Sequence, residues 1–231
     1  MSAGDVLGAD ACPAGWVGVV LSGATVRAVV HADIGGLVSM ASAGGPLAAI
    51  AIDIPIGLAD SGPRQADLLA RKAAGARYAS VFLTPVRAAV LAETYAAALT
   101  VSREVTGRGI SSQAYRLREK ILQVDRWRQG SLPCPVVEAH PELSFAAMAG
   151  APLPNSKLTW AGAVRRRHLL VAQGIEIHGE LGLSRLRVGV DDVLDAAAVA
   201  WTAGRVADGG ARRLPAEPER FSDGVDCAIW T

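Results

Sequence analysis

The chain has 231 residues, 51% of them apolar, and a formal net charge of +1. That length suits one large domain or two small ones, and the near-zero total charge carries no information about partners. The three cysteines, Cys12, Cys134 and Cys227, are odd in number and far apart, which excludes a disulfide framework or a zinc motif.

No apolar run reaches the roughly 20 residues that span a bilayer. The first residues, MSAGDVLGAD, lack a basic segment followed by an apolar one, so no signal peptide is expected and a reducing cytoplasm is the default location. Abundant Ala and Gly suggest a closely packed α/β protein.

Residues 6–11, 16–21 and 25–32 read as three strands joined by tight turns, an antiparallel meander. A small helix is expected over 34–42. Residues 48–55, AAIAIDIP, form an apolar run broken only by Asp53, as in a strand covered on both faces. Helical stretches follow over 63–129, broken at Gly107 and Gly109. A short strand is expected at 135–137, a helix start near Pro141, a loop over 151–157 and a helix over 158–173. Residues 188–207 give the clearest helix, and the tail RFSDGVDCAIWT suggests a terminal strand. One domain, 1–231, with a helical insertion at 61–130, is the simplest organisation.

Charge is distributed unevenly. Residues 1–60 hold five acids and one base, whereas residues 61–128 hold twelve bases and five acids. The basic part is either a solvated helical face or a surface that meets an anion.

Carboxylates fall where burial makes them costly. Asp10 ends the first strand beside the turn at Pro13–Gly15. Asp53 ends the apolar strand, and Glu138 ends the strand at 135–137. Asp192 and Asp195 lie three apart at the start of the last helix, hence on one face. A buried carboxylate needs a partner, and few Lys or Arg neighbours are evident for Asp10 or Asp53. Carboxylates from separate segments can instead share Mg²⁺ or Mn²⁺. Two such ions suit phosphodiester displacement. Each acid alone also has an ordinary reading: Asp10 as a turn residue, Asp191 and Asp192 as helix caps.

Five segments, GADACPAGW (8–16), AIDIPIGL (51–58), RQADLLARKAAGARYASVFLTPVR (64–87), VVEAHPELSFAAMAG (136–150) and DDVLDAAAVAWTA (191–203), together resemble the domain-of-unknown-function 429 family, described as predicted nucleases. The resemblance implies an RNase H-like α/β fold: three antiparallel strands, then parallel strands, helices on both faces of the mixed sheet, and a helical insertion over the site. It implies that Asp10, Asp53, Asp192 and Asp195 hold metal, with Asp191 competing with Asp192. Glu138, His140 and Glu142 match the family's own motif. Glu138 is an additional catalytic or ligand candidate, and His140 could move protons or, with Glu142, contact substrate. Arg64, Arg71, Arg77 and Arg87 could pair with phosphates; the alternative is internal pairing, with Asp67 among others.

The expected function is metal-dependent hydrolysis of phosphodiester bonds in nucleic acid or a nucleotide. One alternative is an actin-like phosphotransferase or ATPase. However, Asp10 is followed by Ala-Cys-Pro-Ala-Gly-Trp, poor in the hydroxyls of a phosphate loop, and no G-x-x-x-x-G-K-[ST] loop is present. The other is a non-catalytic binding module. Aromatic residues are few, with little sign of base stacking on single strands. Structured RNA, branched DNA and small nucleotides remain as substrate classes, and the sequence does not fix oligomeric state.

Overall fold

The computed structural model describes residues 4–231. Seven strands form one mixed sheet in the order β3-β2-β1-β4-β5-β7-β6. The first three, β1 (Asp5–Cys12), β2 (Gly15–Ser22) and β3 (Thr25–His31), are the expected antiparallel meander. The reversal from β1 to β2 turns on Gly15, whose φ is +122°. A Cβ there would also lie 2.5 Å from the His31 carbonyl oxygen, so only glycine fits.

The helix α1 (Ile34–Ala41) leads to β4 (Leu47–Ile52), which lies parallel to β1. Asp33 caps α1 by accepting from the Gly36 N–H. Five helices occupy the chain between β4 and β5: α2 (Gln65–Ala73), α3 (Arg87–Leu91), α4 (Tyr95–Thr106), α5 (Ser112–Arg116) and α6 (Arg118–Trp127). The parallel strand β5 (Val136–Ala139) follows. Then come α7 (Pro141–Ala149), α8 (Trp160–Ala172) and α9 (Val190–Ala207), and the antiparallel pair β6 (Arg213–Arg220) and β7 (Asp226–Trp230). The strand β6 has no counterpart in the sequence-based reading.

Helices cover both faces. On one, α1 and α6 pack against Leu7, Ala9, Ile50 and Ile52. On the other, α9 packs against Val17 and Val19, and against Val6, Ala49, Ala51, Val137 and Ala139. The close contact follows from small side chains. A Cβ added to Gly8 would lie 2.1 Å from the Ala196 carbonyl oxygen and 2.1 Å from the Ala200 nitrogen, so α9 lies directly on the β1 backbone. Ala196, Ala197, Ala200 and Ala203 are fully buried in this seam. Shape here is set by residues that lack bulk, and dispersion at short range replaces side-chain area.

Candidate active site

Strand alternation aims the first two carboxylates. Along β1, Val6 and Gly8 face α9, and Asp10 continues that parity. Along β4, Ala49 and Ala51 face α9, and Asp53, the first residue beyond the strand, follows them. The Asp53 N–H donates to the Ala9 carbonyl at 2.9 Å, which keeps the two segments in step. Asp195 precedes Ala196, the residue pressed against Gly8. The helix–strand seam therefore delivers Asp195 to Asp10. The three carboxylates line one cavity of about 270 Å³, with Lys157, His140 and Arg77 also in its wall.

The electrostatics reflect this crowding. Asp10 and Asp195 are buried. Burial first, and then repulsion from Asp53 and Asp195, holds the Asp10 carboxyl well above its ordinary range. Burial pushes Asp53 up to about 7, against the attraction of Lys157 and with repulsion from Glu142. Asp195 is pushed up to about 6 by burial, again opposed by Lys157.

Lys157 is the cation that pairs directly with the helix α9 carboxylates of the site. Its Nζ donates to Asp195 Oδ2 at 2.5 Å and lies 3.2 Å from Asp191 Oδ2. Burial disfavours its charge, but Asp195, with Asp10 and Asp191, more than offsets this and raises its pKa. This residue was missed from sequence. Its one signal was compositional: the chain has three lysines among 23 basic residues, and Lys157 stands alone in a loop.

The motif Glu138–His140–Glu142 lies in the cavity wall, with both glutamates tied to buried arginines. Val137 and Ala139 face α9, and Glu138 meets Arg64, which is 1% exposed. Arg64 Nη1 and Nη2 each donate to Glu138 at 2.8 Å, Nε donates to Asp67 at 3.1 Å, and Nη1 also reaches the Ile56 and Gly57 carbonyls. The second Glu138 contact comes from the Ile56 N–H at 2.7 Å. Glu138 thus anchors the segment that follows Asp53. Glu142 accepts two hydrogen bonds from buried Arg166, at 2.8 and 2.7 Å, and Arg166 in turn donates to the Asn155 carbonyl at 3.1 Å. That contact props the loop carrying Lys157. His140 Nδ1 accepts from the Glu142 N–H and caps α7. Burial lowers its pKa, which keeps the ring neutral near pH 7.

The other candidates are dispersed. Asp192 caps α9 by accepting from the Gly189 N–H at 2.9 Å and is not in the cavity wall, whereas its neighbour Asp191 contacts Lys157. Arg64 is an internal tie, so its donors are not free for a phosphate. Arg87 pairs with Asp125 and Asp223 and lines a separate depression with Arg128. Arg71 lies over the Tyr78 ring in a neighbouring cavity. Arg77 lines the carboxylate cavity, with its Nε 3.7 Å from Glu142.

As they stand, no three His, Cys, Asp or Glu side chains among the described residues are gathered closely enough to hold a metal ion. The donor chemistry is nevertheless of the right kind for a hard divalent cation: oxygen-only ligands, crowded enough to repel one another, and stabilised by an added positive charge. No helix among the described residues is long and apolar enough to cross a membrane.

Comparison with curated proteins and with solved structures gave no match. One family profile, described as "Protein of unknown function (DUF429)", matches residues 8–220. That span includes β1, the strand that carries Asp10, and α9, the helix that carries Asp195, and the chain therefore belongs to the DUF429 family.

Proposed function

We propose that the protein is a metal-dependent nuclease with an RNase H-like core, hydrolysing phosphodiester bonds. One observation carries the reading: buried Asp10 and Asp195 and half-buried Asp53, from β1, the end of β4 and the start of α9, meet in one cavity. Asp10, Asp53 and Asp195 would hold Mg²⁺ or Mn²⁺, which when bound supplies Lewis acidity and an activated water. Arg77 and Lys157 offer positive charge at the same wall to orient a phosphate. Neutral His140 lies in that wall, but its Nδ1 lone pair already accepts from the Glu142 N–H, so it holds the start of α7 in place rather than serving as a free base. Glu138 and Glu142 act indirectly, by fixing the segment after Asp53 and the Lys157 loop. The β1–β2 reversal passes through Pro13 and Ala14, which offer no hydroxyl to a phosphate after Asp10, and this disfavours the phosphotransferase alternative.

A second reading, a non-catalytic binding module, is favoured by the placement of Lys157, whose ammonium already neutralises Asp195 and Asp191. Isothermal titration of Mg²⁺ and Mn²⁺ into wild type and an Asp10→Asn, Asp195→Asn variant separates the two. Metal binding lost in a folded variant, together with metal-dependent cleavage by wild type, supports the nuclease. Equal binding in both proteins, or none in either with and without nucleic acid, sinks it.

A further inference from the structure

The carboxylate cavity does not end at its own wall. A second cavity, of about 360 Å³, is lined by Val81, Phe82, Thr84 and Gln113, and these same four residues line the carboxylate cavity. The two therefore share a wall in the segment between α2 and α3, and a ligand reaching both would cross that segment as a single groove. Arg71 and Arg108 line the second cavity and not the first. Salt bridges in the helical segment occupy Arg64, Arg77, Arg87 and Arg118. Arg71 and Arg108 have no acidic partner among the described residues. Arg71 is half-buried and held over Tyr78, with its guanidinium carbon 5.5 Å from the ring centroid, while Arg108 is exposed. Ser102 and Thr106, which bond to the Arg108 carbonyl, fix the loop that carries it.

The two cavities differ in their chemistry, with the shared residues between them. One end gathers Asp10, Asp53 and Asp195, with Lys157 and Arg77 beside them. The middle offers the half-buried face of Phe82 beside Thr84 and Gln113. The other end is cationic, with nothing inside the protein to neutralise it. A mononucleotide at the carboxylates would leave the cationic end unused. A duplex would not enter, because each stretch has only the volume of a small-molecule site. A single strand fits both: phosphates on the cations, one phosphodiester at the acids and, although aromatic residues are few in the chain, a base against Phe82, the one Phe, Tyr or Trp that lines the two cavities.

We propose that this groove is the binding track for a single strand of nucleic acid, with Arg71 and Arg108 holding phosphates remote from the reacting bond. The proposal rests on the nuclease reading for the role of the acidic end, but the track itself is measurable without chemistry. Binding of a fluorescein-labelled single strand of about 12 nucleotides, as DNA and as RNA, is followed by anisotropy in EDTA at low salt. The proteins are wild type, Arg71→Glu, Arg108→Glu and the double variant, with Arg71→Lys as a charge-retaining control and circular dichroism to verify folding. Wild type should bind the long strand more tightly than a dinucleotide. The double variant should lose about tenfold or more in affinity, and its log K against log salt slope should shrink by about 1.4, two single-strand phosphate contacts. Arg108→Glu alone, at an exposed position, should lose part of this even if Arg71→Glu does not fold.

No wild-type binding, equal binding of dinucleotide and long strand, or an unchanged double variant would overturn the track. Wild-type hydrolysis of bis-(p-nitrophenyl) phosphate with Mn²⁺ is measured in parallel. Strand binding without hydrolysis would end the nuclease reading and keep the track; hydrolysis with an unchanged double variant would do the reverse.

Discussion

Replacing Gly8 by alanine tests the seam that assembles the site. Gly→Ala in an extended strand ordinarily stabilises by about 0.4–1 kcal/mol through the unfolded chain. Here the new Cβ would lie 2.1 Å from two backbone atoms of α9, where ordinary contact begins at 3.4 Å. The helix must retreat by about 1.3 Å, and neither neighbour is a flexible side chain. Overpacking of this kind costs about 1–3 kcal/mol, and rigid backbone on both sides puts Gly8→Ala at the upper end. For a chain of this size that is a fall of about 6–12 °C in melting temperature. Urea unfolding gives the stability. The carboxyl ¹³C titration of Asp10 gives the geometry: as Asp195 moves away, repulsion weakens and the Asp10 pKa falls. A variant as stable as wild type, with an unchanged Asp10 titration, would refute the claim that this contact sets the Asp10–Asp195 juxtaposition.

Other outcomes follow from the same geometry. Arg64→Met leaves Glu138 and Asp67 buried and unpaired, and should cost about 3–5 kcal/mol in urea unfolding; a loss below about 1 kcal/mol would mean the guanidinium is free for other work. Lys157→Met removes the charge that holds Asp195 and Asp53 down, so both should titrate higher by carboxyl NMR, and unchanged values would remove Lys157 from the site. Asp10, Asp53 and Asp195 have raised pKa values in the folded state, so their contribution to stability is full below the unfolded value near 4 and is lost as pH rises through the folded values, about 6 for Asp195 and about 7 for Asp53. Asp53→Asn should therefore flatten the decline in urea midpoint between about pH 4 and about pH 7, and parallel curves for the two proteins would contradict this. Burial pushes the Cys227 thiol up to about 12, and the side chain is fully covered. It should resist alkylation until the protein unfolds, while half-buried Cys12 and Cys134 react earlier in a timed iodoacetamide assay.

The parts of the fold written in local periodicity were legible. The meander, the buried strand ending at Asp53 and the long α9 could be read because alternation and the 3.6-residue period report which face is covered. The strand β6 was not, because Pro215 and Pro218 interrupt it and half of its residues are charged. At the site, Asp10, Asp53 and Asp195 stood out as acids in apolar surroundings. Their electrostatic partner did not: Lys157 sits in a loop 38 residues from Asp195, and loop geometry has no period to read. The arginines were ambiguous for a related reason. A guanidinium looks the same in sequence whether it meets a phosphate or, like Arg64, a carboxylate 74 residues away. Asp192 and Asp195 share a helical face by spacing, yet only Asp195 reaches the cavity, because the capping bond at Gly189 holds Asp192 at the helix terminus.

The outermost position of β6 has a consequence for how the protein behaves in company. An unpaired strand edge is a template for another chain, and a sequence that is half apolar is exposed to that hazard. Along this margin Pro215 and Pro218 have no amide hydrogen to offer. They lie where the pairing with β7 slips out of register, between Leu214 and Glu219. Arg213, Glu217, Glu219 and Arg220 add charges that an incoming strand would have to desolvate. The features that hid β6 from a pattern reading thus also make it a poor seed for edge-to-edge aggregation.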